Sequence, residues 1–319
     1  MVRTSAGPAV GILQSRTIFQ RTLRKPVVIK GRALHTGELS EIVIEPAPEN
    51  YGIRFCHDRI TAGRGESQFF CAGDSTSSAK INGSRLLCIE HLMSALHGLG
   101  ITNAHIRCVE GNEVPIRDGS AWDHVSGILD SGWVEQRVPA SYLAILDTVR
   151  LEDRVGQRTI VAQPWKGFHI DASIHFPPPI GDHSYSIEIT PESYRREIAA
   201  ARTFLQRSID DVGLSEVREN RLLGLEVSRP DRSQAILYRK SGYVSTLRFS
   251  TEAVRHKILD FIGDIYTLGL PIRGRFHLVR PGHGFTLKFC QLLSSLLAEE
   301  PPGSLPPNSR GRNRAGSRT

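Results

Sequence analysis

The sequence predicts an α+β protein in two halves, each holding a mainly antiparallel sheet and a pair of helices. Three observations carry this. The chain has 319 residues, which at roughly 150 residues per domain makes about two domains. Hydrophobic residues make up 39% and charged residues 23%, so each half can bury a core. Short β-branched segments cluster around helical ones in both halves rather than alternating strand by helix, which argues against a doubly wound parallel sheet.

Residues 1–17 read as a flexible basic extension. The segments 26–31 (PVVIKG), 41–45 (EIVIE), 52–56 (GIRFC) and 103–109 (NAHIRCV) are short and rich in β-branched residues, as strands are. Between them, 88–99 (CIEHLMSALHGL) repeats Ile89, Leu92, Leu96 and Leu99 at helical spacing, and Gly100 can close the helix. A second helix follows the Asp118-Gly119 turn, near 120–131. The stretch 132–141 (GWVEQRVPAS) has turn residues and no period, so the boundary falls there and divides the chain into 18–135 and 136–300. In the second half Phe168, Ile170, Ala172 and Ile174 alternate with His169, Asp171, Ser173 and His175. Tyr185, Ile187 and Ile189 alternate likewise, as do Phe276 and Leu278. Such strict alternation marks half-buried strands, antiparallel by preference. Thr190-Pro191-Glu192 supplies an N-cap, a proline at the first position and an acid in the first turn, starting a helix that runs to about Ala201. Another helix begins near Ser250 and stops by Gly269 or Pro271, and a last one covers about 285–298. Residues 301–319 have nothing to bury and are expected to be disordered.

Several function classes lose support at this point. No run of 18 apolar residues exists, so no transmembrane helix is expected. Cys56, Cys71, Cys88, Cys108 and Cys290 are scattered and form no C-x-x-C pair. That excludes a disulfide scaffold and a cysteine-rich zinc finger, and points to a reducing, cytoplasmic setting. The net charge of +7 sits at the ends: 1–25 carries five basic residues and no acid, and 304–319 carries four arginines and no acid. The middle is close to neutral, so no nucleic-acid partner is expected and the ends read as solvated tails. The Arg-, Ser- and Thr-rich start is compatible with an organelle presequence and lacks a secretory apolar core. Because its basic run continues into the first expected strand, a short ragged extension is the favoured reading. Phosphate-loop, dinucleotide-binding and serine-hydrolase signatures are all missing.

The segment 250–268 carries the most chemistry. His256, Asp260 and Asp264 are spaced four and four, opposite an apolar stripe of Val254, Ile258, Ile262 and Ile265. At 3.6 residues per turn His256 and Asp260 stack on one side. An imidazole nitrogen and a carboxylate oxygen so placed can both reach about 2.0–2.2 Å from one Zn²⁺. The same spacing describes an ordinary solvated helix face. Glu90-His91 interrupts an otherwise apolar helix. His91 could complete a His₂Asp set with one position left for water, and Glu90 could take that water's proton; or both could simply face solvent. His283 sits between glycines in Pro281-Gly282-His283-Gly284, where a ligand can come close. It could be a general acid or a cation beside an oxyanion, oriented by Asp264, or it could be a surface turn histidine.

Five stretches converge on one family: QRTLRKPVVIKGRALHTGE (20–38), IEHLMSALHGLGITNAHIRCVEGNEVPIRDGSA (89–121), ARTF (201–204), VRHKILDFIGDIYTLGLPIRG (254–274) and GH (282–283). In order, over roughly 20–298, they resemble UDP-3-O-acyl-N-acetylglucosamine deacetylase, the LpxC family. The resemblance implies a cytoplasmic, monomeric zinc amidase of lipid A synthesis with one Zn²⁺ per chain. Its substrate would be a UDP-linked acylated glucosamine, whose acyl chain brings transient contact with a membrane surface. It also implies two similar domains with sheets outside, helix pairs between them, and an insert near 205–240 forming an acyl passage. Carried over by motif, His91, His256 and Asp260 resemble the zinc ligands, and Glu90 the general base. His283 resembles the acid or electrostatic catalyst and Asp264 its partner. Thr203 resembles the residue that helps hold the oxyanion, and Lys257 a lysine near the diphosphate or sugar. His35 resembles a pocket histidine that binds no metal, and Phe204 the start of the acyl passage.

The sequence departs from the family's pattern at three places. Leu205-Gln206 follows ARTF where a glycine and another aromatic are usual. LLGLEVSRPDRSQAIL (222–237) replaces a glycine-rich segment. Gly284-Phe285-Thr286-Leu287 replaces A-L-N-N. These positions handle substrate, so two other readings stay open: a zinc amidohydrolase with an altered substrate, and a non-catalytic binding protein on the same scaffold.

Overall fold

The computed structural model describes residues 7–57, 68–71, 76–81, 84–205, 208, 210 and 235–298. The first half contains β1 (Val10–Leu23), β2 (Val27–Arg32), β3 (Leu39–Pro46), β4 (Ile53–His57), β5 (Gln68–Cys71), β6 (Ser77–Ile81), β7 (Ser84–Leu87), α1 (Glu90–Gly98), β8 (Ala104–Glu110) and α2 (Trp122–Ser131). The second contains β9 (Trp133–Ile145), β10 (Val149–Asp153), β11 (Arg158–Gln163), β12 (Phe168–His175), β13 (Asp182–Glu188), a short α3 (Pro191–Ser193), β14 (Tyr238–Arg239), β15 (Gly242–Tyr243), α4 (Glu252–Tyr266), β16 (Ile272–Val279) and α5 (His283–Ala298). The fold is α+β, as expected.

One sheet runs β2-β3-β8-β4 and a smaller one β5-β6-β7. The largest runs β1-β9-β16-β11-β10, with β12 beside β16 and β13 beside β12. Most pairings are antiparallel. Among the described strands, three pairs are parallel, namely β4 with β8, β12 with β16, and β9 with β16. The alternating residues of β12 and β16 do bury one face each, Phe168, Ile170, Ala172 and Ile174 on one strand and Phe276 and Leu278 on the other. Alternation reports one-sided burial, not strand direction, so the parallel neighbour was invisible to it.

Two expectations are corrected. The extension expected over 1–17 is already strand from Val10, and the stretch 132–141, expected as turn residues without a period, is strand from Trp133 on. These two long strands pair along their length, from Val10 opposite Ile145 to Leu23 opposite Trp133. Register shifts around Phe19, which faces Pro139, absorb the proline. The turn-like residues there mark an irregularity in a ladder rather than a break in the chain. The helix expected from Thr190 to about Ala201 starts with a capping box between Thr190 and Ser193. After one turn it passes into a π-helical turn over Tyr194–Ile198. There the buried Tyr194 hydroxyl donates to Ser94 Oγ at 2.9 Å. The expected acyl-passage insert lies largely, and the tail 301–319 wholly, outside the described residues. Among those described, no helix is long and apolar enough to cross a membrane.

The helices lie between the sheets. α2 packs on β2, α4 on β12 and β13, α5 on β11, and α1 lies against α4 at the centre. Every residue from Glu90 to Leu96 is buried, as is all of α4 except Arg255 and Lys257. The two helices meet backbone to backbone. A Cβ on Gly263 of α4 would lie 1.9 Å from the Glu90 carbonyl oxygen of α1. Only glycine permits that approach.

Candidate metal centre

The crossing of α1 and α4 decides between solvated and buried polar faces. Glu90 is 2% exposed, His91 3%, His256 2%, Asp260 3%, Asp264 4% and His283 4%. Buried ionisable groups must be paired or bound to a cation. The donor atoms of His91, His256 and Asp260 lie within 4.8 Å of one another. His256 Nε2 is 3.2 Å from Asp260 Oδ1, and His91 Nε2 is 3.9 Å from the same oxygen.

The hydrogen bonding of this trio is incomplete in a way that fits a metal. His256 Nδ1 donates to the Ala201 carbonyl at 3.0 Å, so a neutral ring turns its Nε2 lone pair toward Asp260. Burial lowers the His256 pKa to about 3, against the pull of Asp260, so a proton is disfavoured there. Burial opposes the Asp260 charge too, but His256, Lys257, His283 and His91 together hold its pKa far below the usual carboxylate range. Asp260 Oδ1 and His91 Nδ1 are buried without hydrogen-bond partners. A lone pair thus faces a carboxylate oxygen, and a divalent cation would satisfy both. Two imidazoles and one carboxylate form a donor set suited to zinc.

Around the trio, His283 Nδ1 meets Asp264 Oδ2 at 2.8 Å, and its Nε2 is 3.7 Å from Asp260 Oδ2. Burial works against charge on this ring, but Asp264 and Asp260 outweigh it and raise its pKa to about 10. The Glu90 carboxylate accepts from Thr76 Oγ1 at 2.8 Å and from the Ser77 backbone N–H at 3.0 Å. Lys257 Nζ lies 2.8 Å from Asp260 Oδ2 and 5.5 Å from the Phe204 ring centre. Phe204 also packs edge-on to His256 at 6.2 Å. His35 is held on Glu113 at 2.9 Å and interacts electrostatically with Glu90 and His283. Thr203 is carried beside the site by its backbone, its N–H donating to the Gly119 carbonyl at 2.7 Å. No contact ties its hydroxyl to the cluster among the described residues.

Sequence reasoning overlooked four residues that hold these in place. Ser77 Oγ donates to Asp264 Oδ1 at 2.6 Å, and Thr76 supports Glu90. Both lie in a polar run that looks like any loop. Glu113 is fully buried on His35. Glu252 binds Arg202 at 2.8 Å and accepts from the Arg248 N–H at 2.6 Å, fixing the ARTF segment to the start of α4. A glutamate in a first helical turn reads as a dipole partner and gave no other signal.

The fold and the site define a class: two α+β halves around a buried two-histidine, one-carboxylate centre. The family model described as "LpxC: UDP-3-O-acyl N-acetylglycosamine deacetylase" matches residues 20–295. The chain is 33% identical over 282 residues to the UDP-3-O-acyl-N-acetylglucosamine deacetylase of Psychrobacter cryohalolentis, covering 85% of this chain and 84% of that one. It is 36% identical to the enzyme of that name from Oleidesulfovibrio alaskensis, with 86% and 88% covered. For the one from Neisseria meningitidis serogroup C the identity is 34%, with 89% and 91% covered. The chain belongs to the LpxC family of deacetylases.

Proposed function

We propose that this protein hydrolyses the acetamide of UDP-3-O-acyl-N-acetylglucosamine, releasing acetate, as a zinc-dependent step of lipid A synthesis in the cytoplasm. The observation that carries this is the convergence of His91, His256 and Asp260 beside Glu90 and His283 in a chain of this family. On this reading, those three side chains hold one Zn²⁺, which when bound polarises the amide carbonyl and acidifies water. Glu90 takes a proton from the attacking water, its carboxylate kept in place by Thr76 and Ser77. His283, oriented by Asp264, supplies an N–H to the developing oxyanion or a proton to the departing amine. Thr203 adds a donor on the oxyanion side. Lys257 balances the charge of Asp260, and with Phe204 it lines the approach for diphosphate and acyl chain. The same reading takes the chain as two family-type halves, with the acyl passage near 205–240.

The test is acetate release from the UDP-linked acylated glucosamine, with and without a chelator. Activity should vanish on chelation and return with Zn²⁺. Full activity in the metal-stripped protein would overturn the zinc reading. No acetate from the metal-loaded protein would overturn the substrate.

A further inference from the structure

We propose that Glu113 is a positioning residue for the reaction, fixing the His35 ring through Nδ1 so that Nε2 is presented to a substrate oxygen beside Glu90. This rests on the deacetylase reading above. The Glu113 side chain is 0% exposed. Its Oε1 accepts from the His35 backbone N–H at 2.8 Å and lies 2.9 Å from His35 Nδ1, while Oε2 accepts from the Thr36 N–H at 3.0 Å. The Glu113 backbone carbonyl accepts from the Ser40 hydroxyl. One buried carboxylate therefore organises the whole LHTG turn.

That arrangement leaves the ring only one free polar atom. With Nδ1–H given to Glu113, Nε2 has no protein partner among the described residues, and the side chain is 13% exposed. The charged or titratable groups that bear on the ring are Glu113, Glu90 and His283. Burial disfavours charge on His35, but Glu113 and Glu90 outweigh it and raise its pKa, which favours an N–H on Nε2. Asp264 and His283 repeat the pattern from the other half of the chain, with Nδ1 on the carboxylate at 2.8 Å. Two carboxylate–histidine dyads, one from each half, thus flank the metal-ready trio. A metal at the neighbouring His35, Cys88 and Glu113 donors is disfavoured. Both Glu113 oxygens are already engaged, and burial holds the Cys88 thiol pKa well above its usual value, so no thiolate is offered.

The experiment compares wild type, Glu113→Gln, His35→Gln and the double variant, all as metal-loaded full chains. Imidazole ¹⁵N NMR reads the His35 tautomer and titration, and kcat/KM is followed against pH. In Glu113→Gln, metal content should be unchanged and His35 should titrate at least one pH unit lower. Its kcat/KM should fall about tenfold or more, with the alkaline decline moved to lower pH. His35→Gln should lose the same amount, and the double variant no more than either. An unchanged His35 tautomer and titration in Glu113→Gln, or losses that simply multiply, would reduce Glu113 to a loop anchor and overturn the proposal. Should Glu113→Gln fail to fold, His35→Gln decides: kcat/KM within twofold of wild type sinks the dyad. If wild type releases no acetate from this substrate, the substrate assignment fails, and the NMR comparison alone still judges the dyad.

Discussion

Gly263→Ala tests whether the crossing of α1 and α4 sets the geometry of the centre. The added methyl would sit 1.9 Å from the Glu90 carbonyl oxygen, 2.7 Å from its carbonyl carbon and 3.0 Å from its Cα. Restoring ordinary contact at 3.4 Å requires α1 to retreat by about 1.5 Å, the difference between 3.4 and 1.9. The obstacle is backbone at the buried start of α1, so no side chain can rotate away. Overpacking of this kind costs about 1–3 kcal/mol of stability. The functional cost should be larger. α1 carries Glu90 and His91, while His256 and Asp260 stay on α4, and metal–ligand distances tolerate only ~0.2 Å. A misplacement near 1 Å can cost about 100-fold in rate. The assay is metal content after equilibrium dialysis, with kcat/KM on the UDP substrate and a urea melt. The expected result is a folded protein with metal affinity down at least tenfold and kcat/KM down about 100-fold. A variant that keeps full metal and turnover within twofold of wild type would refute the reasoning.

Glu90→Gln should keep its contacts to Thr76 and Ser77 and its metal, yet lose at least ~100-fold in kcat, as a missing general base does; near-normal turnover removes Glu90 from that role. Asp260→Ala should weaken metal binding at least ~100-fold, more than loss of a supporting group does, and an undiminished metal content would disprove the ligand set. His97 is stacked on Tyr266 at 4.6 Å and on Phe168 at 5.0 Å, and burial lowers its pKa to about 4 from 6.5. A buried neutral histidine of this kind gives stability that is full above pH 6.5 and lost as pH falls toward 4, roughly 3 kcal/mol in all. His97→Phe should flatten that acid limb in urea melts from pH 7 to 4; parallel limbs for the two proteins would show that the ring does not titrate as described.

Much of the fold was legible because local chemistry and tertiary structure agree. Ile89, Leu92 and Leu96 fall on α1, and the alternation at 168–175 gives the buried face of β12. What was lost depends on partners distant in sequence. β1 and β9 were missed because each is recognisable only against the other, and Pro139 disguises the ladder. The candidate site was legible where one element carries two groups, as with His256 and Asp260. It was opaque where support arrives from residues far away in the sequence. Ser77 reaches Asp264 across 187 positions and Glu113 reaches His35 across 78, and neither separation leaves a local pattern.

The layering explains why chemistry gathers on α1 and α4 rather than elsewhere. A helix covered on one side can keep its polar residues in water; a helix enclosed by other helices and by sheets cannot. Polar residues on α1 and α4 must therefore be satisfied internally, and most are. Ser94 receives Tyr194, Glu252 takes Arg202, and the Tyr266 hydroxyl donates to the Ile101 carbonyl at 2.6 Å. Of these, the Tyr194–Ser94 and Tyr266–Ile101 bonds tie the halves together. His97 and, on α2, His124 have unpartnered ring nitrogens, and burial lowers their pKa values to about 4 and about 3, which disfavours charge on either ring. Asp260 is different. It is buried, its charge is favoured by its neighbours, and one of its oxygens has no donor while a histidine lone pair points toward it. A stable core has no use for that configuration, and replacing such charges with apolar groups often stabilises a protein. At the crossing of the two central helices, a cation held by His91, His256 and Asp260 would satisfy it.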